Sequence, residues 1–183
     1  LRPLVLASQS PRRRELLQTA GIPFTVRISP VEEVRAAGEA PEDYVRRLAR
    51  AKAEAVWQGG DEIVLGADTV VVLDQDVLEK PQDEADARRM LTLLSGREHA
   101  VITGICLRHG GGAIIDTVLT RVKFLTLSPA EIEAYAASGE PRDKAGAYAI
   151  QGLASKFVER IDGCFFNVVG LPVSAVYRHL QVL

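Results

Sequence analysis

The sequence predicts an α/β fold in which a mixed sheet is flanked by helices. Strand-like and helix-like segments alternate along the chain, and an uninterrupted run over Ile63–Leu73 is suited to a central strand. Two long strand-like segments then meet at His109-Gly110-Gly111-Gly112, which reads as a hairpin and favours a mixed sheet over a purely parallel one. The 183 residues, 47% of them hydrophobic, suit one compact domain or two lobes sharing a core.

Leu4-Val5-Leu6-Ala7 is a short apolar strand. Ser10 is a good N-cap and Pro11 sits at the tolerated first helical position; Leu16, Leu17 and Ala20 give a helical stripe that Gly21 and Pro23 stop. Phe24–Ile28 alternates as a second strand, followed by an irregular segment to Pro41 and a long helix from Pro41 to about Trp57, closed by Gly59-Gly60-Asp61. The central strand turns at Asp74-Gln75-Asp76, and a helix runs from about Asp83 to Leu94 and ends at Ser95-Gly96. The hairpin strands span Glu98–Arg108 and Ala113–Leu125. Ser128 caps a helix through Ala137, and a polar loop covers Gly139 to Gly146. Short strands at Tyr148–Ile150 and Lys156–Ile161, a turn at Gly163 and a last helix after Pro172 complete the chain, which holds no repeat, low-complexity tract or linker.

A net charge of -2 argues against broad binding to nucleic acid. Cys106 and Cys164 form no CxxC motif and read as inert core thiols of a reducing cytosol. His99, His109 and His179 lack zinc spacing, so any metal is expected to be a hard ion on carboxylates, magnesium or manganese by default. No leader pattern or apolar run of about 18 residues occurs, so the protein is expected to be soluble, cytoplasmic and free of membrane. The sequence starts at Leu1 without an initiator Met, and a few further residues are expected to precede it.

Within Ser8-Gln9-Ser10-Pro11-Arg12-Arg13-Arg14, three cations occupy the first turn of a helix, where the dipole disfavours them. A bound phosphate reverses that preference by accepting from the free N–H groups, the Ser8 and Ser10 hydroxyls and the arginine forks. The alternative is a solvated basic face partly balanced by Glu15. Lys52 falls in the middle of the apolar stripe Val45, Leu48, Ala49, Ala55 and Val56, so it either snorkels to an edge or lines a cleft where it meets a phosphate or carboxylate. Asp68 interrupts the central apolar run, and a buried carboxylate is costly unless paired or bound to metal; otherwise Gly66-Ala67-Asp68 is a turn between two shorter strands. Lys80 is held extended by Pro81 at the end of the next strand, Glu32 and Glu33 lie on a loop, and Gln151 follows a strand from which an amide could read a base edge. An anion-binding helix start, two lysines, carboxylates for a hard cation and an amide reader together fit water attack on a phosphoanhydride, with metal and cations stabilising charge on the phosphates. No Ser-His-Asp set, reactive cysteine motif or GxxxxGK[ST] loop competes with that chemistry.

Ser8-x-Ser10-Pro11-Arg12-Arg13, Glu33, Arg47-Leu48-Ala49-x-x-Lys52-Ala53, Gly66-Ala67-Asp68-Thr69, Lys80-Pro81, Ser95-Gly96-Arg97, Asp143 through Gln151-Gly152 and Gly170-Leu171-Pro172 resemble the motifs of the Maf (septum-formation) family of nucleoside triphosphate pyrophosphatases, in order and over nearly the full length. The resemblance implies one Maf-like domain over residues 1–183, with an elongated, inosine-triphosphatase-like fold and an active-site cleft between two lobes. It implies a cytoplasmic, divalent-metal-dependent enzyme, homodimeric by family and base rate, that splits nucleoside triphosphates into monophosphate and pyrophosphate and keeps modified pyrimidine nucleotides out of nucleic acids. By the same resemblance Asp68 is the proton acceptor, Ser8, Arg13, Lys52 and Lys80 hold the phosphates, and Glu33 helps Asp68 place the metal and water. Arg12, Thr69 and Gln151 occupy specificity positions in the pattern of the dTTP/UTP branch; a primary amide can donate to a pyrimidine carbonyl and accept from the ring N3–H, a pattern cytosine lacks. Gln9 departs from the small residue usual between the two serines. The family's name also suggests a nucleotide-binding regulator of cell division, and a purine specificity of the inosine-triphosphatase kind is a third reading that Gln151 argues against.

Overall fold

Apolar pattern and capping chemistry place the elements of the computed structural model, which describes residues 2–183. Strand β1 (Leu4–Leu6) is buried throughout and pairs in parallel with β2 (Thr25–Val26) on one side and β3 (Ile63–Leu73) on the other. Helix α1 (Pro11–Thr19) starts at Ser10, whose side chain accepts from the Arg13 N–H, and buries Arg13, Leu16 and Leu17. Helix α2 (Pro41–Val56) presents Tyr44, Val45, Leu48, Ala49, Lys52, Ala53 and Val56 as one buried stripe. β3 turns through Asp74, at a φ of 56°, into the antiparallel β4 (Asp76–Leu78).

Helix α3 (Glu84–Leu94) is capped by Asp83, and α4 (Pro129–Ala137) by a reciprocal Ser128–Glu131 capping box. β5 (Glu98–His109) and β6 (Gly112–Phe124) form the expected hairpin neighbours, and β7 (Val158–Asp162) pairs antiparallel with β6. Two helices, α5 (Phe165–Val169) and α6 (Val173–Leu180), follow. The strand order β2-β1-β3-β5-β6-β7, with β4 on β3, mixes parallel and antiparallel pairs as predicted.

Contacts divide the chain into two compact units. The first comprises the residues up to Thr69 together with Thr103–Val118 and Gly170–Leu183, and the second comprises Val70–Ile102 and Leu119–Val169. The first unit has a core of Val5, Ala7, Ala49, Ala53, Val56, Val64 and Cys106, with Trp57 and Ile115 packed against it. Two glycines let α2 lie directly on strand backbone. A Cβ at Gly66 would collide with the Ala49 carbonyl oxygen, and one at Gly104 would lie 2.5 Å from that of Val45. The second unit is centred on aromatic rings: Phe124 meets Tyr148 edge-on at 4.8 Å and His99 at 5.0 Å, and Tyr135 meets Phe157 at 5.5 Å.

Four expectations are corrected. The Phe24–Ile28 strand contracts to Thr25–Val26, both exposed. The strand before Lys80 ends at Leu78, so Glu79 and Lys80 lie beyond it. Tyr148–Ile150 forms no strand, because short 3₁₀ turns and left-handed Gly146 (φ 69°) and Ala147 (φ 62°) bend the chain just before it. The Ala149 N–H donates instead to the Tyr135 hydroxyl. The Lys156–Ile161 strand shifts to Val158–Asp162, because Leu153–Phe157 is a 3₁₀ turn. Helix α5 was not predicted; its Asn167 is fully buried and donates to the Val101 carbonyl and Thr120 hydroxyl, both at 3.1 Å. No described helix is long and apolar enough to cross a membrane.

Candidate active site

The first unit gathers several charged side chains around the middle of β3. Asp68 stays within the continuous strand, so the alternative of a turn between two shorter strands does not hold. Both its side chain and that of Lys52 are only 8% exposed. From α2, the Lys52 Nζ donates to Asp68 Oδ1 at 2.7 Å, to Glu33 Oε1 at 2.8 Å and to the Ala67 carbonyl at 3.4 Å. Its three protons thus have three acceptors, and snorkelling is excluded. Glu33 arrives from the irregular segment before α2 and keeps 41% of its side chain exposed.

Helical spacing separates the three arginines of α1. Arg13 shares the inner face with Leu16 and Leu17, while Arg12 is half-buried and Arg14 donates to the Gln9 carbonyl at 2.9 Å. The buried Arg13 guanidinium brackets Asp68: one nitrogen donates to the Ala67 carbonyl at 3.0 Å and another to the Thr69 hydroxyl at 3.0 Å. Its Nε donates to the Gly170 carbonyl at 2.8 Å. Thr69 in turn lies 2.8 Å from the Thr103 hydroxyl. Ser8 is buried, and its hydroxyl accepts from the Ser10 N–H at 3.1 Å, fixing the entry to α1. Gln9 is exposed.

Burial dominates the electrostatics. It raises the Asp68 pKa above the ordinary carboxylate value despite the opposing charges of Lys52 and Arg13, with Glu33 adding a smaller rise. It also lowers the pKa of the Arg13 guanidinium, against the pull of Asp68 and Glu33. A buried carboxyl that binds its proton more firmly than usual, next to a fixed ammonium, is a group suited to accept a proton from water. Among the described residues no set of three or more histidine, cysteine or acidic side chains converges as a metal cage.

Arg13, Glu33, Lys52, Asp68 and Thr69 therefore form one network, with Ser8 joined to it through the Ser10 cap of α1 and Arg12 beside it on the same helix. Lys80 and Gln151 belong to the second unit: Lys80 is exposed after β4, and Gln151 is exposed in a turn rather than at a strand end. Thr103 was not singled out from sequence, and Gly170 entered only as part of the Gly170-Leu171-Pro172 motif, with no role attached. Thr103 interrupts an apolar run and is fully buried, the same signal that drew attention to Asp68. Gly170 contributes only its carbonyl, a role that its place in the motif does not reveal.

The remaining candidates lie elsewhere. Cys106 is buried, with its thiol pushed up to about 11 by burial, as an inert core cysteine requires, while Cys164 is half-buried. His179 pairs with Asp116 at 2.8 Å, and His99 bonds the Tyr148 hydroxyl at 2.7 Å.

The family model described as Maf-like protein matches residues 3–183. A protein of Koribacter versatilis named dTTP/UTP pyrophosphatase is 52% identical over 179 residues, covering 97% of this chain and 93% of its own. One of the same name from Vibrio cholerae is 55% identical over 172 residues, covering 93% of this chain and 92% of its own. Among solved structures, a nucleoside-triphosphatase / dITP/XTP pyrophosphatase from Mycobacterium abscessus aligns with a TM-score of 0.48 and 14% identity, over 98% of this chain and 93% of that one.

Proposed function

The chain belongs to the Maf-like protein family, and from that premise we propose that it hydrolyses dTTP and UTP to the nucleoside monophosphate and pyrophosphate. The observation that carries the reading is the buried Lys52 ammonium bonded to both Asp68 and Glu33. Water adds to the α-phosphorus, its proton passes to the Asp68 carboxylate, and the bond from that phosphorus to the bridging oxygen breaks to release pyrophosphate. The raised pKa of Asp68 suits this transfer, because the carboxylate takes a proton more readily than an ordinary one. In this reading Lys52 keeps Asp68 oriented and gives up its long bond to the Ala67 carbonyl to hold the phosphates with Ser8, Arg13 and Lys80. Arg13 also fixes Asp68 through its two neighbours in the strand, Ala67 and Thr69. Arg12, Thr69 and Gln151 discriminate among nucleotides.

A divalent cation, Mg²⁺ or Mn²⁺, fits the donor set. Asp68 and Glu33 already converge on one cation and offer hard oxygens, and Mg²⁺ is commonly held by one or two carboxylates with substrate phosphates completing its ligands. Such an ion supplies charge stabilisation on the phosphates. The test is to incubate the protein with each nucleoside triphosphate and magnesium and separate the products. Monophosphate and pyrophosphate from dTTP and UTP are expected; orthophosphate with a diphosphate, or no turnover, overturns the proposal.

A further inference from the structure

The turn that carries Gln151 is clamped on both sides by side chains outside the family motif positions assigned above. Gly152 N–H donates to the Ala149 carbonyl at 3.0 Å, closing the turn around Ile150 and Gln151. Ile150 is buried and Gln151 exposed, so the turn has an apolar anchor and a presented amide. Two residues before Gln151, the Ala149 N–H donates to the Tyr135 hydroxyl at 3.0 Å. Two residues after it, the Leu153 N–H donates to Glu140 Oε1 at 3.1 Å.

The two clamping groups are themselves immobilised. Tyr135 is 3% exposed and its ring packs edge-on against Phe157. Burial, followed by the adjacent Glu140 carboxylate, holds its phenol above the ordinary value, so it stays a neutral hydroxyl. The Glu140 carboxylate occupies the space a Gly152 Cβ would need, and the Glu140 backbone carbonyl accepts from Lys144 Nζ at 2.8 Å. Gly152 has a φ of -101°, which any residue can adopt, so it is the carboxylate rather than the backbone angle that demands glycine there.

We infer that Tyr135 and Glu140 are positioning residues for Gln151: they set the preference for thymine and uracil by fixing the turn, without touching the nucleotide. A primary amide distinguishes a pyrimidine carbonyl and N3–H from the reversed pattern of cytosine only if its own donor and acceptor ends are held in one orientation. Freeing either flanking N–H leaves a backbone donor to find another partner and lets the turn shift. The inference rests on the proposal that Gln151 meets the base.

The test uses steady-state kinetics on dTTP and dCTP, whose bases differ in the donor and acceptor pattern at these edges. Glu140→Ala and Tyr135→Phe are each expected to lower the dTTP-to-dCTP ratio of kcat/KM about tenfold, the effect of losing about one well-made hydrogen bond, through KM for dTTP rather than kcat. Glu140→Gln, which keeps an acceptor for the Leu153 N–H, is expected to restore most of the ratio. Gln151→Ala removes the preference, and adding Glu140→Ala to it should change the ratio no further. If Gln151→Ala lowers the ratio while Tyr135→Phe and Glu140→Ala leave it intact, or if Glu140→Ala adds its full effect in the Gln151→Ala background, the positioning role is overturned. If Gln151→Ala itself leaves the ratio intact, the base-reading premise fails instead. Should Glu140→Ala not fold, Tyr135→Phe, which deletes one hydroxyl from a retained ring, decides alone.

Discussion

Replacing Asp68 by Asn separates chemistry from folding, because the substitution keeps the shape of the side chain and removes only its charge. Oδ1 of Asp68 accepts from Lys52 at 2.7 Å, and an amide oxygen can take that place. Activity should fall about 10²- to 10⁴-fold in kcat, the usual contribution of a positioned general base, with nucleotide binding retained. Stability should move the other way. Burial raises the folded-state pKa of Asp68 even with Lys52 and Arg13 opposing it, so its ionised form is less favoured in the folded chain than in the unfolded one. Each unit of such a rise costs about 1.4 kcal/mol at a pH where the group is ionised in both states. The contribution of Asp68 is thus fully present below the unfolded pKa and is lost as pH rises through the raised folded value. The neutral variant escapes that loss: it should match the parent near pH 4 and be at least as stable at pH 8. Tm measured across this range, together with pyrophosphate release at saturating dTTP, decides the matter. A variant that is less stable than the parent at pH 8 by an amount independent of pH, or that retains more than about a tenth of kcat, refutes the reasoning.

Lys52→Met leaves Asp68 and Glu33 without their shared cation and should cost about 3–5 kcal/mol in urea unfolding at pH 7, and less as pH falls and Asp68 takes up a proton. A pH-independent cost would show that packing rather than charge is lost. Gly66→Ala drives a Cβ into the backbone of α2 at Ala49 and should destabilise by about 1–3 kcal/mol or more, whereas Gly38→Ala, with open space around it, should show only the strain of its positive φ. The His99 imidazole is held down at about 4 by burial. Its folded-state value lies below the unfolded one, so stability present above pH 6.5 should be lost as pH falls toward 4, by roughly 3 kcal/mol. His99→Gln should flatten that part of the acid unfolding profile, and an unchanged profile would remove His99 as its source.

The elements with strong periodicity or capping chemistry were legible in the sequence. Pro41–Val56 and Ile63–Leu73 emerge nearly residue for residue, because each has an extended apolar pattern of one period and a clear stop. The stretch from Gly139 to Val169 was not legible at the same level. Its Tyr148–Ile150 segment has strand composition, yet the preceding positive-φ residues and the bond from Ala149 to the Tyr135 hydroxyl consume the backbone that a ladder would need. Tyr135 lies 14 residues earlier, on α4, and no local pattern announces such a partner. Helix α5 is similar: five residues are too few for a periodic stripe, and its buried Asn167 is held by Val101 and Thr120, distant in sequence.

Within the site, polarity that breaks an apolar pattern proved the most informative sequence signal, since a buried charge must find a partner. Lys52 and Asp68 each interrupt a buried face and turn out to be each other's partner. Thr103 carried the same signal in weaker form, because a threonine is tolerated in strands and its hydroxyl can be satisfied locally. Arg13 shows where such reasoning stops. An arginine cluster at a helix start points outward to an anion, but only one of the three faces inward, and it places three of its donors on Gly170, Ala67 and Thr69. A guanidinium has five N–H groups: two fix the strand on either side of Asp68, a third holds the Gly170 carbonyl, and two remain for a phosphate. Substituting lysine would keep the charge and lose that fork. An Arg13→Lys enzyme should therefore lose kcat, through a less firmly held Asp68, as well as phosphate affinity, and a change confined to KM would leave Arg13 as a phosphate ligand alone.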